Sequence, residues 1–185
     1  MTPNIKKGLR ALAMGALLAI PLAAVSATPA MAATNVTATG GQLSVSAGLA
    51  GDDISINVEG GFLVVRNFGD GIFAGSVTCA NVDSRTVRCN SAGISSILVR
   101  TNAGADTVQN NTALQTQAFL GPDGDVYSGG SARDVVSGEG GNDLLEGNGG
   151  NDVLMGDAGG FDQVFGGAGT DLCTAEAENT CEGDA

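Results

Sequence analysis

The chain has 185 residues, of which 30 are glycine and 20 are acidic, against eight lysines and arginines. Its formal net charge of −12 disfavours binding to nucleic acid or anionic lipid and favours the attraction of cations. Because histidine is absent, a Ser-His-Asp triad, a Cys-His pair and an imidazole-ligated zinc site are all excluded.

Residues 1–32 have the pattern of a secretory signal peptide. Lys6, Lys7 and Arg10 form a basic segment before a short apolar run, and a small-x-small cleavage site follows at Ala32. The alternative is an uncleaved membrane anchor, which is disfavoured because a proline interrupts the apolar run. Cleavage near Ala32 predicts a secreted, extracellular mature chain without a transmembrane segment. That chain has five arginines, 20 acids and a net charge of −15.

Residues 33–119 are predicted to form short β-strands. Apolar and polar residues alternate over 43–46 and over 54–58. Two glycines separate the second run from the apolar stretch 62–67, and this arrangement predicts a hairpin. Residues 94–101 predict another strand.

The even number of cysteines in a chain predicted to be secreted indicates disulfide bonds. The four are Cys79, Cys89, Cys173 and Cys181. Three connectivities are possible, and the one that joins Cys79 to Cys89 and Cys173 to Cys181 closes the shortest loops and is preferred. A zinc site made of all four thiolates is the alternative, which the absence of C-x-x-C spacing disfavours.

A period of nine residues runs from Leu120 to Thr174. The nonads are 120–128, 129–137, 138–146, 147–155, 156–165 and 166–174, the fifth with one extra residue in its turn. Aspartate occupies the sixth position of each nonad: Asp125, Asp134, Asp143, Asp152, Asp162 and Asp171. A buriable residue follows two positions later: Tyr127, Val136, Leu145, Leu154, Val164 and Cys173. A disordered glycine-rich linker, the alternative, lacks such a strict apolar period.

The period predicts stacked coils of two nonads each, with the eighth-position side chains pointing inward. One edge of the stack would carry Asp125, Asp143 and Asp162, and the other Asp134, Asp152 and Asp171. Coils stack about 4.8 Å apart. Carboxylates at about 5 Å repel by roughly 1 kcal/mol in water and roughly 3 at an effective dielectric of 20. Ca²⁺ between the turns would remove this repulsion, because it accepts carboxylate and backbone carbonyl oxygens together. The six aspartates are therefore candidate calcium ligands.

These nonads resemble the GGxGxDxUx repeats of RTX (repeat-in-toxin) hemolysin-type calcium-binding proteins. The chain is also similar to small secreted calcium-binding proteins of actinobacteria, in its signal peptide, in "VTCANVDSRTVRCN" and in the closing "GTDLCTAEAENTCE". The resemblance implies an all-β fold, a parallel β-roll (β-solenoid) preceded by a short-stranded β region, with calcium between turns on the same edge. It implies four segments: signal peptide 1–32, strand region 33–119, roll 120–174 and acidic C-terminal cap 175–185.

Some positions depart from the RTX pattern. Leu120 and Asp123 replace glycines in the first nonad, and Arg133 brings a positive charge to the second turn. Asp125 and Asp134 are therefore the less secure ligands, as possible end positions. Upstream, "AGDDISI" at 50–56 and "AGADTV" at 103–108 look like half-repeats, so the roll can begin before Leu120. Counted from Asp53, the first of these is one place out of register, so Asp53 is not assigned as a ligand.

The seventh position is also apolar in five nonads. The residues are Val126, Val135, Leu144, Val153 and Leu172. They predict packing against the cysteine hairpin region, simple β-propensity, or a surface for self-association or for an unknown protein or cell-surface partner. A Cys173–Cys181 bond would fold the acidic tail over the open end, where 175–178 has a weak helical pattern.

Together these patterns predict a non-enzymatic, calcium-binding β-roll with a structural or interaction role outside the cell. The alternatives are a secreted hydrolase accessory and a membrane-active RTX-like protein. The region before the repeats has no H-E-x-x-H or G-x-S-x-G motif, and the mature chain has no amphipathic or apolar pore segment.

Overall fold

The computed structural model describes residues 33–181 and 183–184, all of them in strands, turns and loops. The predicted signal peptide at 1–32 lies outside the described residues. The strands are β1 Thr34–Thr39, β2 Gln42–Ser46, β3 Asp53–Glu59, β4 Phe62–Asn67, β5 Ile72–Ala74, β6 Cys79–Asp83, β7 Thr86–Asn90, β8 Ser96–Arg100, β9 Thr107–Asn110, β10 Gln115–Gly121, β11 Val126–Ser128, β12 Asp134–Gly141, β13 Leu144–Glu146, β14 Val153–Met155, β15 Ala158–Gly159, β16 Gln163–Phe165, β17 Leu172–Thr174, β18 Ala177–Asn179 and β19 Gly183–Asp184. No helix in this part of the chain is long and apolar enough to cross a membrane.

The strands form two sheets that face each other across one core. The first sheet has the order β19-β17-β14-β12-β10-β8-β2-β1-β5, and β15 pairs separately with β12. The second has the order β18-β16-β13-β11-β9-β3-β4-β7-β6. In sheet order, all neighbouring strands from β2 to β19 in the first sheet and from β3 to β18 in the second are parallel. Along the repeats, successive strands of the chain alternate between the two sheets. The predicted all-β fold with a parallel β-roll is confirmed.

The eighth positions of the nonads form the core of the roll. Each of these six side chains is fully buried: Tyr127, Val136, Leu145, Leu154, Val164 and Cys173. The strand register stacks Leu145 on Val164 in one sheet and Leu154 on Cys173 in the other. Because a three-residue strand places only its central side chain inward, the nonad buries one apolar residue per turn and depends on its neighbours for the rest.

The parallel stack extends well upstream of the nonads. In the first sheet, β10 pairs in parallel with β8 and β8 with β2; in the second, β11 pairs with β9 and β9 with β3. The predicted boundary at Leu120 falls inside β10, and both sheets continue across it without a break. The half-repeats therefore belong to the roll, whose coils are longer and less regular before the nonads begin.

Antiparallel strands close the N-terminal end. β1 pairs with β2, β3 with β4, β4 with β7 and β7 with β6. The hairpin predicted at 54–67 is the β3–β4 pair, with Gly60 and Gly61 at positive φ in its turn. Cys79 faces Cys89 across the β6–β7 hairpin, and the two are joined by a disulfide.

The C-terminal tail continues the roll. β18 adds to β16 and β19 adds to β17, both in parallel. The helical tendency predicted for 175–178 is wrong, because Ala177–Asn179 form strand β18, which pairs in parallel with β16. A second disulfide joins Cys173 to Cys181, with 6.0 Å between their Cα atoms.

The seventh-position side chains point outward. Val126 and Leu172 are exposed, and Val135, Leu144 and Val153 are half-buried. Val135, Val153 and Leu172 lie on the outer face of the first sheet, and Val126 and Leu144 on the outer face of the second.

The inward ladder can be tested at two adjacent leucines. Leu145→Ala empties a fully buried position and should lower the free energy of unfolding by about 2–5 kcal/mol in saturating calcium. Leu144→Ala, at the half-buried neighbour on the outer face, should cost about 1 kcal/mol or less. Urea unfolding of both variants measures the difference, and equal losses would contradict the inward ladder.

Candidate calcium site

The six sixth-position aspartates lie at the two edges of the roll, where the chain passes between the sheets. The turns that enter the second sheet, here called the first edge, carry Asp125, Asp143 and Asp162. The turns that enter the first sheet, the second edge, carry Asp134, Asp152 and Asp171. All six are at most 2% exposed. The register of the nonads predicts this division between the edges.

Each aspartate is held by the backbone of the coil below it. On the second edge, the Asp134 amide donates to Asp152 Oδ1 at 2.7 Å, and the Asp152 amide donates to Asp171 Oδ1 at 2.9 Å. On the first edge, the Asp125 amide donates to Asp143 Oδ1 at 2.8 Å, and the Asp143 amide donates to Asp162 Oδ1 at 2.9 Å. These ladders link turns two nonads apart, so Asp143 and Asp152 stand on opposite edges.

The second carboxylate oxygen is the unusual feature of the ladder. Oδ2 of Asp125, Asp143, Asp152 and Asp162 is buried and has no hydrogen-bond partner. A buried polar atom without a partner costs about 1–3 kcal/mol, and more when it is charged. The fold therefore leaves several carboxylate oxygens in need of a counterpart that the protein does not supply.

Glycine at the first position of a nonad leaves space beside this oxygen. A Cβ on Gly147 would collide with Asp152 Oδ2 and would lie 2.5 Å from the carbonyl oxygen of Gly166 in the next coil. A Cβ on Gly129 would collide in the same way with Asp134 Oδ2 and would lie 2.5 Å from the carbonyl oxygen of Gly147.

The first edge repeats this arrangement. A Cβ on Gly138 would collide with Asp143 Oδ2 and would lie 2.9 Å from the carbonyl oxygen of Gly156. In each case a carboxylate oxygen and a carbonyl oxygen border the same small space, here called a cradle. Both are acceptors, so neither can satisfy the other. A cation satisfies both.

The donor set identifies the kind of cation. Among the described residues no three acidic or cysteine side chains converge on one point, so backbone carbonyls must supply much of a coordination shell. Calcium is a hard ion that accepts six to eight oxygens, carbonyls included. The positive φ angles of Glu139 (70°), Asn148 (64°) and Asp157 (64°), each second in its nonad, set the peptide orientation in these turns.

Burial shifts the acid–base equilibrium of the ladder. Desolvation raises the pKa of Asp125 to about 7 and that of Asp152 to about 6, and it also raises the pKa values of Asp134 and Asp143. Neighbouring aspartates of the same edge raise the pKa values of Asp125, Asp143 and Asp152 further. These carboxyl groups therefore hold their protons to a higher pH than an exposed aspartate does.

Two members of the first-edge ladder were missed from the sequence. The Asp52 amide donates to Asp106 Oδ1 at 2.6 Å, and the Asp106 amide donates to Asp125 Oδ1 at 2.7 Å. The signal was available, because the buried Ile54 lies two positions after Asp52, as in the repeats. Asp53, which is exposed, lies outside the ladder. Asp125 is consequently not the end of its edge.

The upstream aspartates differ from the others at the first position of the turn. Asp52 receives hydrogen bonds from Thr34 Oγ1 (3.3 Å), from Asn67 Nδ2 and from the Gly48 amide (3.2 Å), so the protein satisfies both its oxygens. For Asp106 the first position is Thr101, whose hydroxyl donates to the Leu120 carbonyl oxygen, and Asp106 Oδ2 is buried without a hydrogen-bond partner.

The same position distinguishes Asp125 from Asp134. The buried Leu120 occupies it for Asp125, in place of the glycine that leaves a cradle. Asp134 has the space left by Gly129, but its Oδ2 accepts a hydrogen bond of 3.2 Å from the Gly130 amide. Cradles that hold a carboxylate oxygen without a partner therefore accompany Asp143 and Asp152.

The comparisons with known proteins agree with this geometry. Residues 128–160 and 158–179 match the family model of the RTX calcium-binding nonapeptide repeat, a model of four copies. The matched region includes Asp134 to Asp171 and leaves out Asp125. No curated protein and no solved structure matches the chain. The predicted RTX resemblance and the calcium cofactor are confirmed, while the similarity to actinobacterial proteins stays a prediction.

The cradle can be tested by two glycines of one turn. Gly147→Ala would place a methyl group between Asp152 Oδ2 and the Gly166 carbonyl, and it should abolish one calcium site. Gly149→Ala meets its nearest atom at 3.7 Å and is the matched control. Equilibrium dialysis should show one fewer bound calcium for Gly147→Ala only. Equal binding by both variants would refute the cradle as the ion's position.

The raised pKa values predict how the metal-free protein responds to pH. The folded state binds more protons than the unfolded chain, whose aspartates titrate near 3.9. This stabilisation is full below about pH 4 and is lost as the pH rises through about 6 to 7. Without calcium, the melting temperature should be higher at pH 4.5 than at pH 7.5, by about 5 °C or more. Asp125→Asn should reduce the difference. A lower melting temperature at pH 4.5 would contradict the prediction.

Proposed function

We propose that this chain, whose residues 128–179 are RTX calcium-binding nonapeptide repeats, is an exported, non-enzymatic protein that completes its fold by binding calcium outside the cell. The observation that carries the proposal is the cradle at Asp143 and at Asp152, in which a buried carboxylate oxygen without a partner lies beside a carbonyl oxygen of the next coil.

Two cradles within the repeats hold a carboxylate oxygen without a partner and give the two principal proposed sites. Their aspartates are Asp143 and Asp152, and the carbonyls that close them belong to Gly156 and Gly166 respectively. Asp134, whose Oδ2 already accepts a hydrogen bond from the Gly130 amide, is proposed as a further ligand. Asp162 and Asp171 hold the next coil of each edge through their Oδ1 atoms. Asp125, with Leu120 at the first position of its turn, is proposed as a ladder member and not as a principal ligand.

Calcium would supply a large part of the stability of the repeats. Free calcium at a thousand times the dissociation constant adds about 4 kcal/mol per site, while a whole domain is stable by about 5–15 kcal/mol. Removal of the ions would leave buried, unpaired acceptors and a chain of net charge −15 after export. The environment outside the cell, with its abundant calcium, is where such a chain would be stable.

The arrangement of the acids supports metal binding over catalysis. Each repeat aspartate is buried and accepts a hydrogen bond from the backbone of the neighbouring coil, so none is poised to exchange a proton with a substrate in a cleft. The two disulfides suit an oxidising, extracellular setting. The outward seventh-position side chains give the outer faces of the two sheets apolar surface for a protein or cell-surface partner. The proposed role is therefore structural or interactive.

The central experiment is a calcium titration followed by circular dichroism. Addition of calcium to the metal-free mature chain should increase the β-sheet signal, and EGTA should reverse the change. Magnesium serves as the control ion, because it requires a tighter octahedral shell. A spectrum that neither calcium nor EGTA alters would sink the proposal.

The pairing of turns gives a sharper test. Asp→Asn substitutions keep an oxygen acceptor for the ladder and remove the charge. Asp152→Asn and Asp171→Asn lie on one edge and should be non-additive in calcium affinity, whereas Asp143→Asn and Asp152→Asn lie on opposite edges and should add within about 0.5 kcal/mol. A double-mutant cycle by calorimetry measures both. Coupling of Asp143 with Asp152 instead would contradict the two-edge model.

A further inference from the structure

We propose that the tail after the last nonad builds a further calcium site on the second edge, between Asp171 and the backbone carbonyl of Thr180. We further propose that the Cys173–Cys181 disulfide holds this site together. The inference rests on the proposed function, because it extends calcium binding to a segment that has no repeat sequence.

The geometry of the last turn matches that of the turns before it. A Cβ on Gly166 would lie 2.6 Å from Asp171 Oδ2 and 2.6 Å from the carbonyl oxygen of Thr180. Gly147 stands in the same relation to Asp152 Oδ2 and the Gly166 carbonyl. Thr180 therefore supplies the oxygen that a glycine supplies in each earlier cradle of this edge, and Asp171 is as buried as the other ladder members.

Thr180 is fixed in this position by local contacts. Its Oγ1 accepts a hydrogen bond of 2.8 Å from the Gly167 amide, in the turn directly below. Its φ of 55° lies in the left-handed region, like the 64° of Asn148 in an earlier turn of the same edge. A β-branched residue adopts this region at a cost, so the surrounding structure must hold it there.

The Cys173–Cys181 disulfide holds Thr180 in this position. Cys173 is the fully buried, inward residue of β17, and Cys181, next to Thr180, packs against the same core. The bond closes a short loop of sequence separation 8 and confines the tail near the edge. β18 and β19 have three and two residues, which is too little pairing to hold the tail without such a link.

The sequence "AENTCE" contains no glycine and no GGxGxD motif, so counting repeats does not reveal this site. The tail supplies only the atom that the ion would contact. That atom is one backbone carbonyl oxygen, in the position that a carbonyl of the next coil occupies in the earlier turns. In this way the tail would complete the last turn of the second edge as a further coil would.

The test compares two substitutions at Thr180 in the full mature chain. Thr180→Pro fixes φ near −65° and must move the carbonyl, whereas Thr180→Gly keeps the carbonyl and favours positive φ. Neither variant disturbs the core, since Thr180 is exposed. Equilibrium dialysis should show that Thr180→Pro binds one fewer calcium, or binds that ion about ten-fold more weakly, while Thr180→Gly binds as the unmodified chain does.

A second pair of variants tests the disulfide. Cys173→Ala with Cys181→Ala should lose the same ion, and Cys79→Ala with Cys89→Ala, at the opposite end, should keep it. Circular dichroism in calcium confirms that the remaining coils are folded in each case.

The outcomes separate this proposal from the function on which it rests. If the unmodified chain binds no calcium, the proposed function itself fails. If the unmodified chain binds calcium and Thr180→Pro binds the same number of ions with the same affinity, only the tail site is overturned. Loss of every ion from Thr180→Pro would also overturn it, because the tail site would then not be separate.

Discussion

The repeats of the roll depend on the repulsion between two buried hydrogen-bond acceptors, a carboxylate oxygen and a backbone carbonyl oxygen. At Asp143 and Asp152, Oδ1 accepts a hydrogen bond from an amide of the coil below, and Oδ2 lies beside a carbonyl oxygen of the coil above. Two oxygens without a hydrogen between them repel, and burial strengthens the repulsion. Glycine at the first position is therefore required for space, not for flexibility: it leaves room for the one partner, a cation, that both oxygens accept.

The N-terminal end solves the same problem without an ion. Asp52 stands in the first-edge ladder, yet Thr34, Asn67 and the Gly48 amide donate to its two oxygens. Those donors are available because antiparallel strands fold back over this end, and β1 and β4 bring Thr34 and Asn67 beside the turn. A repetitive roll has no such strands, since every coil is covered by another of the same sequence. At Asp143 and Asp152 no protein donor reaches Oδ2, so a ligand from solution is needed there.

The nine-residue period was sufficient to predict the inward ladder, the two edges and the pairing of turns two nonads apart, because each follows from strict spacing. The upstream coils were harder. Asp52 and Asp106 lie 54 residues apart in the sequence but adjacent in the ladder, since two hairpins intervene. No local pattern reveals such a contact. The cradle was also beyond prediction: the difference between Asp125 and Asp134 depends on whether Leu120 or Gly129 sits beside the carboxylate, which only the stacked structure shows.

The coils before Leu120 and the repeats after it are stabilised in different ways. The coils before Leu120 bury a large share of the core, including Leu43, Ile54 and Ile97, and a disulfide pins their outer hairpin. Their ladder member Asp52 is satisfied by protein donors, so the N-terminal end is less dependent on metal. These coils present β10 and β9 as edges on which the next strands, β12 and β11, pair. Each later coil adds one buried apolar residue and one carboxylate. Under the proposed function the ion makes each addition favourable, so the ordered part of the roll would extend from the capped N-terminal end toward the tail as calcium binds.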